Sequence, residues 1–284
     1  MSRISEALKR AQQEQNPEQT TASSRASRGE MLPEELVPLD TPLHGVLLDR
    51  CRRPKWNLQE GILSRGHSED HVVAAEELRK LGAWLTQRQR ADSLKTLLVT
   101  SASPREGKTF VAVNLAWTMA QAKNRRVLLV DGDLRSPSAH LMLGAPLTPG
   151  LAEYLEGGVE EAQILQQGPL SNFFFISGGK STVNPVELLS TDALKKLISQ
   201  LSPLFDWIVF DSTPVVSVAD ARLIAALTDK LLLVVAAGTS SREAVAKARD
   251  FFVNKGLLGV VLNYADPRES YSSYYYRAYK GRQP

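Results

Sequence analysis

The residues with the clearest chemical potential form the run Ala102-Ser103-Pro104-Arg105-Glu106-Gly107-Lys108-Thr109. It fits the GxxxxGK[ST] spacing with alanine in the first place, and it directly follows an apolar, strand-sized stretch, LKTLLVTS at 94–101. A helical pattern begins at Lys108. Such a turn presents backbone N–H groups and a helix N-terminus to phosphate oxygens, brings a lysine ammonium to the β- and γ-phosphates, and offers a hydroxyl to Mg²⁺. Ser103, Pro104, Arg105, Glu106, Gly107, Lys108, Thr109 and Phe110 are therefore the candidate residues for binding ATP.

Three carboxylates close two further apolar runs. Asp131 and Asp133 end LLVDGDLR, and Asp211 ends IVFDSTP. Taken singly, each could cap a helix or pair with a nearby cation. Brought to the same sheet edge as Lys108, they suit a hard, octahedral cation held by one or two carboxylates, a hydroxyl, phosphates and water. Thr109, Asp133 and Asp211 are the candidate Mg²⁺ residues, which leaves Asp131 for another role.

The elements that must position these groups follow from periodicity. Strand-like runs recur at 94–101, 125–131, 172–177, 206–211, 229–237 and 256–263, and helical stretches at 71–85, 108–121, 185–200, 217–227 and 241–254 lie between them. This alternation predicts an α/β fold, a mostly parallel P-loop NTPase sheet with helices on both faces. Ligands in such folds sit beyond the carboxyl ends of the strands, where all four charged candidates fall. Residues 1–70 read as an extension, with a possible short helix at 2–12 on Ile4, Ala7, Leu8 and Ala11, and linker or disorder over 13–70. Residues 71–263 form the expected nucleotide-binding domain, and 264–284 a tail.

Composition excludes several classes. The longest apolar candidate, LLLVVAAG at 231–238, is far short of the roughly 18 residues needed to span a bilayer. The first residues, MSRISEALKRAQQEQ, lack the pattern of a secretory signal, and the lone Cys51 fits a reducing cytoplasm. The net charge is +3. Residues 1–270 balance to zero, so the excess sits on Arg277, Lys280 and Arg282; no basic stripe points to nucleic acid. The last fourteen residues, 271–284, hold five of the seven tyrosines, Tyr271, Tyr274, Tyr275, Tyr276 and Tyr279.

Over residues 71–284 the chain resembles the bacterial tyrosine kinases of polysaccharide polymerisation and export systems. The resemblance rests on SASPREGKT, LLVDGDLR and IVFDSTP, on NPVELLS at 184–190 and VADARLIAALTD at 218–229, and on the tyrosine tail. It implies an Mg-ATP-dependent autokinase in which Lys108 holds the phosphates and Asp131 orients or deprotonates the tyrosine hydroxyl. The five tail tyrosines are then the acceptors. Asn263 resembles the adenine-contacting residue of related ATPases, though a simple polar residue at a strand end reads equally well. The resemblance further implies an activating partner, the cytoplasmic segment of a membrane chain-length regulator, and a cytoplasmic protein held peripherally at the inner face of the plasma membrane.

Two positions depart from the family pattern. Arg105 stands where glycine is usual, which costs on the order of 1 kcal/mol if φ is positive there; its guanidinium could contact a phosphate or reach a neighbouring subunit. The ExxRxxR association motif reads Glu76, Arg79 and then Gly82, which leaves a homo-oligomer possible but its ring-like form in doubt. Two other readings stand beside the kinase. One is a positioning or partition ATPase, whose extra loop lysine is here Ser103; the other is a pseudokinase scaffold.

Overall fold

Six of the apolar runs become strands of one sheet. In the computed structural model, which describes residues 43–62, 69–122, 125–253 and 256–266, these are β1 Thr96–Ser101, β2 Val127–Asp131, β4 Phe173–Ile176, β5 Trp207–Asp211, β6 Lys230–Ala236 and β7 Leu257–Asn263. A two-residue strand, β3 Gln166–Gln167, is added antiparallel at one edge. The sheet order is β3-β4-β2-β5-β1-β6-β7, and all pairings other than β3–β4 are parallel.

The central strands β1, β2 and β5 are buried at every position and largely apolar, because both faces are covered. Leu97 and Val99 of β1 and Val127 and Leu129 of β2 join one core layer with Leu78, Leu85, Val111 and Leu115 from the helices Glu69–Asp92 and Lys108–Gln121. Leu98, Leu128 and Val130 point the other way, toward Leu194, Leu197, Ile224 and Phe252 of the helices Asp192–Leu201, Asp220–Ala225 and Arg242–Phe252. The mostly parallel α/β sheet expected from the sequence is thus observed. Among the described residues no helix is long and apolar enough to cross a membrane.

Register does the positioning. β2 and β5 align Asp131 with Asp211, and β1 and β5 align Val99 with Asp211. The phosphate-loop candidate after β1 and the acidic strand ends therefore meet at one edge without any long connection having to carry them there.

Two expectations differ from the structure. The helix expected over 185–200 is split into Pro185–Leu189 and Asp192–Leu201. The hydroxyls of Ser190 and Thr191 donate back to the carbonyls of Val186 and Leu188, at 2.5 and 2.7 Å, offering the backbone an alternative to a continuous helix. The second difference lies in the stretch 13–70, expected as linker or disorder. A helix forms at Leu43–Arg50, Arg52 bridges to Gln166 of β3, and Trp56 meets Phe173 and Phe175 edge-on, 5.9 Å from each. Asn57 and Gln59 donate backbone N–H groups to Gly144 and Met142, and Ile62 is fully buried. Trp56, Leu58 and Ile62 are too widely spaced to show periodicity, yet each packs on the core. The helix expected at 2–12 lies outside the described residues.

If residues 51–62 are part of the domain core, Ile62→Ala should lower unfolding stability by about 2–5 kcal/mol. Urea denaturation measures it; a loss under about 0.5 kcal/mol would mean that the segment is merely draped on the surface.

Candidate nucleotide site

The turn between β1 and the helix Lys108–Gln121 is held in shape by its own side chains. Glu106, almost fully buried, accepts the Ser103 N–H at 2.8 Å and the Ser240 hydroxyl, while the Ser240 Oγ accepts the Ala236 N–H at 2.8 Å. Asn263, at the end of β7, donates its Nδ2 to the Glu106 carbonyl at 3.0 Å. The loop is thus tied to the ends of both β6 and β7. Gly107 sits at φ 87, and a Cβ there would lie 1.9 Å from the Asn263 Nδ2, so both conformation and contact require glycine.

Arg105 also has a positive φ, 65. The departure from glycine therefore carries the left-handed strain that the sequence foreshadowed. Its side chain is exposed, as is that of Pro104, whereas Phe110 packs its ring against the core beneath the loop. The Glu106 carboxylate is spent on the loop itself, so what remains of Glu106 for a phosphate is backbone.

Charge is concentrated below this loop. Lys108 Nζ lies 3.1 Å from Asp133 Oδ2 and 3.4 Å from the Thr109 hydroxyl. Burial alone would depress the ammonium, but the Asp211 and Asp133 carboxylates hold it above the ordinary lysine value. Asp131 is completely buried; its Oδ1 accepts the Asp133 N–H at 3.2 Å, and its Oδ2 accepts those of Ser138 and Ala139, each at 3.0 Å. Burial first, and then the charge of Asp211, push its carboxyl well above the usual range despite those donors. Asp211 is raised too, mainly by burial, with Lys108 and the Thr109 hydroxyl pulling the other way.

Neither oxygen of Asp211 has a hydrogen-bond partner of normal geometry, and the nearby Thr213 hydroxyl has none. A buried carboxylate left unsatisfied is costly, and a cation at this point would satisfy it. Among the described residues no group of three or more His, Cys, Asp or Glu side chains is arranged to hold a metal by itself. A cation here would have to complete its shell with phosphate and water, which suits Mg²⁺ with a nucleotide.

One contact is not foreseen by the sequence. Arg135 makes a two-pronged ion pair with Asp220, at 2.7 and 3.1 Å, linking the loop that carries Asp133 to the helix following β5. Both residues stand in quoted motifs, Arg135 two places beyond Asp133, but nothing in their spacing pairs them. Glu76 and Arg79 pair with each other at 2.7 Å on an exposed helix face. Gly82 is buried against Met119, so its place in that motif faces the neighbouring helix. Of the tyrosines, Tyr154 is buried and donates to Glu161 at 3.2 Å, Tyr264 is exposed, and Tyr271, Tyr274, Tyr275, Tyr276 and Tyr279 lie outside the described residues.

No family model matches the chain. It is similar to the tyrosine-protein kinase YwqD of Bacillus subtilis, with 34% identity over 172 residues, covering 60% of this chain and 72% of the relative. It is also similar to the tyrosine-protein kinase CpsD of Streptococcus pneumoniae, 35% identical over 181 residues, or 62% of this chain and 78% of the relative. Among solved structures, the kinase domain of the Escherichia coli tyrosine kinase ETK matches with a TM-score of 0.63 and 29% identity over 70% of this chain and 80% of that one.

The raised carboxyls have a sign that can be tested. Asp131 and Asp211 keep protons in the folded state that the unfolded chain releases above about pH 4, so the ligand-free protein should lose stability as pH rises from there through neutrality. Thermal melts at pH 5 and pH 8 should show that fall in the wild type and a smaller one in Asp211→Asn. Equal falls in the two proteins would show that Asp211 is not raised.

Proposed function

This chain belongs to the bacterial tyrosine-protein kinase family, and we propose that it is an Mg-ATP-dependent autokinase that phosphorylates its own C-terminal tyrosine cluster. The observation that carries this reading is the orphaned carboxylate of Asp211 beside Lys108 and Thr109, under a glycine-containing loop at a helix N-terminus. These residues fit a metal–triphosphate and have no evident use without one.

In this mechanism Lys108 exchanges Asp133 for phosphate oxygens, and the N–H groups at the start of its helix face the same oxygens. Thr109, Asp133 and Asp211 would hold Mg²⁺, which, when bound, neutralises charge on the transferring phosphoryl group. Asp131 is fixed by three backbone N–H groups, two on Oδ2 and one on Oδ1, which leaves acceptor capacity on Oδ1. There it orients a tyrosine hydroxyl. The phenol oxygen bonds to the γ-phosphorus, the bond to the ADP oxygen breaks, and the phenolic proton passes to Asp131. A phenol of pKa about 10 is mostly protonated at neutral pH, so the transfer needs an ionised acceptor; with a divalent cation beside it, Asp131 would give up the proton that the ligand-free carboxyl keeps and be free to accept.

The tail supplies the substrate. About twenty residues beyond Asn263 span roughly 65 Å when extended, enough to reach a neighbouring copy's site. Each phosphate adds about −1.5 to −2 charges, so two cancel or reverse the +3 of residues 271–284 and should weaken their docking on an acidic site. The physiological setting in this reading is exopolysaccharide polymerisation and export, at the membrane's inner face. There the cytoplasmic segment of a chain-length regulator serves as activating partner.

The left-handed Arg105 supports one competing reading, a scaffold that binds nucleotide without transferring phosphate. The positioning-ATPase reading has less support, because Ser103 occupies the place of its extra lysine and the similar relatives are kinases.

Mass spectrometry of the tail after incubation with Mg-ATP and the regulator segment separates these readings. Phosphate should appear on some of Tyr271, Tyr274, Tyr275, Tyr276 and Tyr279, and Lys108→Met should reduce it by about 10²-fold or more. An unmodified wild-type tail, or equal signal from both proteins, would defeat the autokinase.

A further inference from the structure

β7 carries a row of exposed apolar side chains, with Val260 and Leu262 57% and 59% exposed. Alternation would make Tyr264 the third member of that row. It is not, because the chain leaves the strand there at φ 57, a left-handed conformation disfavoured for a bulky side chain. Burial does not compensate, since Tyr264 is 65% exposed. The turn instead carries the ring to the phosphate loop: its hydroxyl lies 3.2 Å from where a Cβ on Gly107 would stand. Asn263, one residue earlier, is hydrogen-bonded to the same loop. An aromatic side chain with open surface is therefore held, at a conformational cost, beside the loop that would take a nucleotide's phosphates.

Strained, exposed residues at a ligand site usually have a functional reason. An open aromatic face next to a phosphate cradle suits the flat base of the same ligand, because bases stack on aromatic rings. We propose that Tyr264 is the base-stacking platform of this site, taking the purine ring of the nucleotide whose phosphates the loop binds. This rests on the reading of the loop as a nucleotide site, not on phosphoryl transfer. The ring carries the contact, and the hydroxyl only touches the loop.

Calorimetric titration with ADP and with inorganic tripolyphosphate tests the assignment. Tyr264→Ala should weaken ADP binding about tenfold, Tyr264→Phe should stay within about twofold of wild type, and tripolyphosphate should bind all three proteins alike. Unchanged ADP affinity in the alanine variant overturns the proposal. So does an equal loss in the phenylalanine variant, which would assign the effect to the hydroxyl, or a parallel loss of tripolyphosphate affinity, which would mean a damaged loop. A wild type that binds no ADP overturns both this proposal and the nucleotide reading. One that binds ADP but leaves its tyrosines unmodified overturns the kinase reading alone.

Discussion

Three carboxylates and one ammonium share the carboxyl edge of the sheet, and much of the local structure answers that imbalance. Parallel pairing of β2 with β5 fixes Asp131 opposite Asp211, so the two cannot separate without breaking the ladder. Lys108 neutralises part of the charge through Asp133, and three backbone N–H groups are turned onto Asp131. Asp211 has no donor of normal hydrogen-bond geometry. A site that excess acid destabilises in isolation is by the same arithmetic one that a divalent cation stabilises, and Coulombic attraction in a buried setting is strong enough to make the difference matter.

The loop above depends on contacts that reach across the sheet. Glu106 is locked by Ser240 from beyond β6, and Asn263 from the end of β7 fixes its carbonyl. The phosphate loop is therefore not an autonomous motif. Its geometry is set by strands that follow it by more than a hundred residues, and the Arg135–Asp220 pair ties the acidic loop to the helix after β5 in a similar way.

How much of this was legible in the sequence differs by the range of the interaction. The strands were visible because doubly covered strands are continuous apolar runs, and Lys108, Thr109, Asp131, Asp133 and Asp211 because strand ends in a parallel sheet all point to one edge. The break at Ser190 and Thr191 was hidden, since hydroxyl back-bonding leaves the apolar periodicity intact. The role of 51–62 was hidden because single residues such as Trp56 and Ile62 are separated by polar ones, and Trp56 packs on Phe173 and Phe175, more than a hundred residues away. Glu106 looked like part of a phosphate cradle by position alone, and its side chain turned out to be bonded to Ser240 and the Ser103 N–H. Tyr264 gave no signal beyond following Asn263: a left-handed turn after a strand is a property of the backbone, and only the fold shows where it aims the ring.

The bridge between Arg52 and Gln166 has a geometric consequence for the whole chain. It brings the described N-terminal segment in at the β3 edge, whereas the last strand, β7, forms the opposite edge, six strand spacings or roughly 29 Å away. A load carried through Arg52 falls on the β3 flank of the sheet, whereas Asn263 ends the strand at the other. A load borne at the first edge is thus separated from the second by the full width of the sheet.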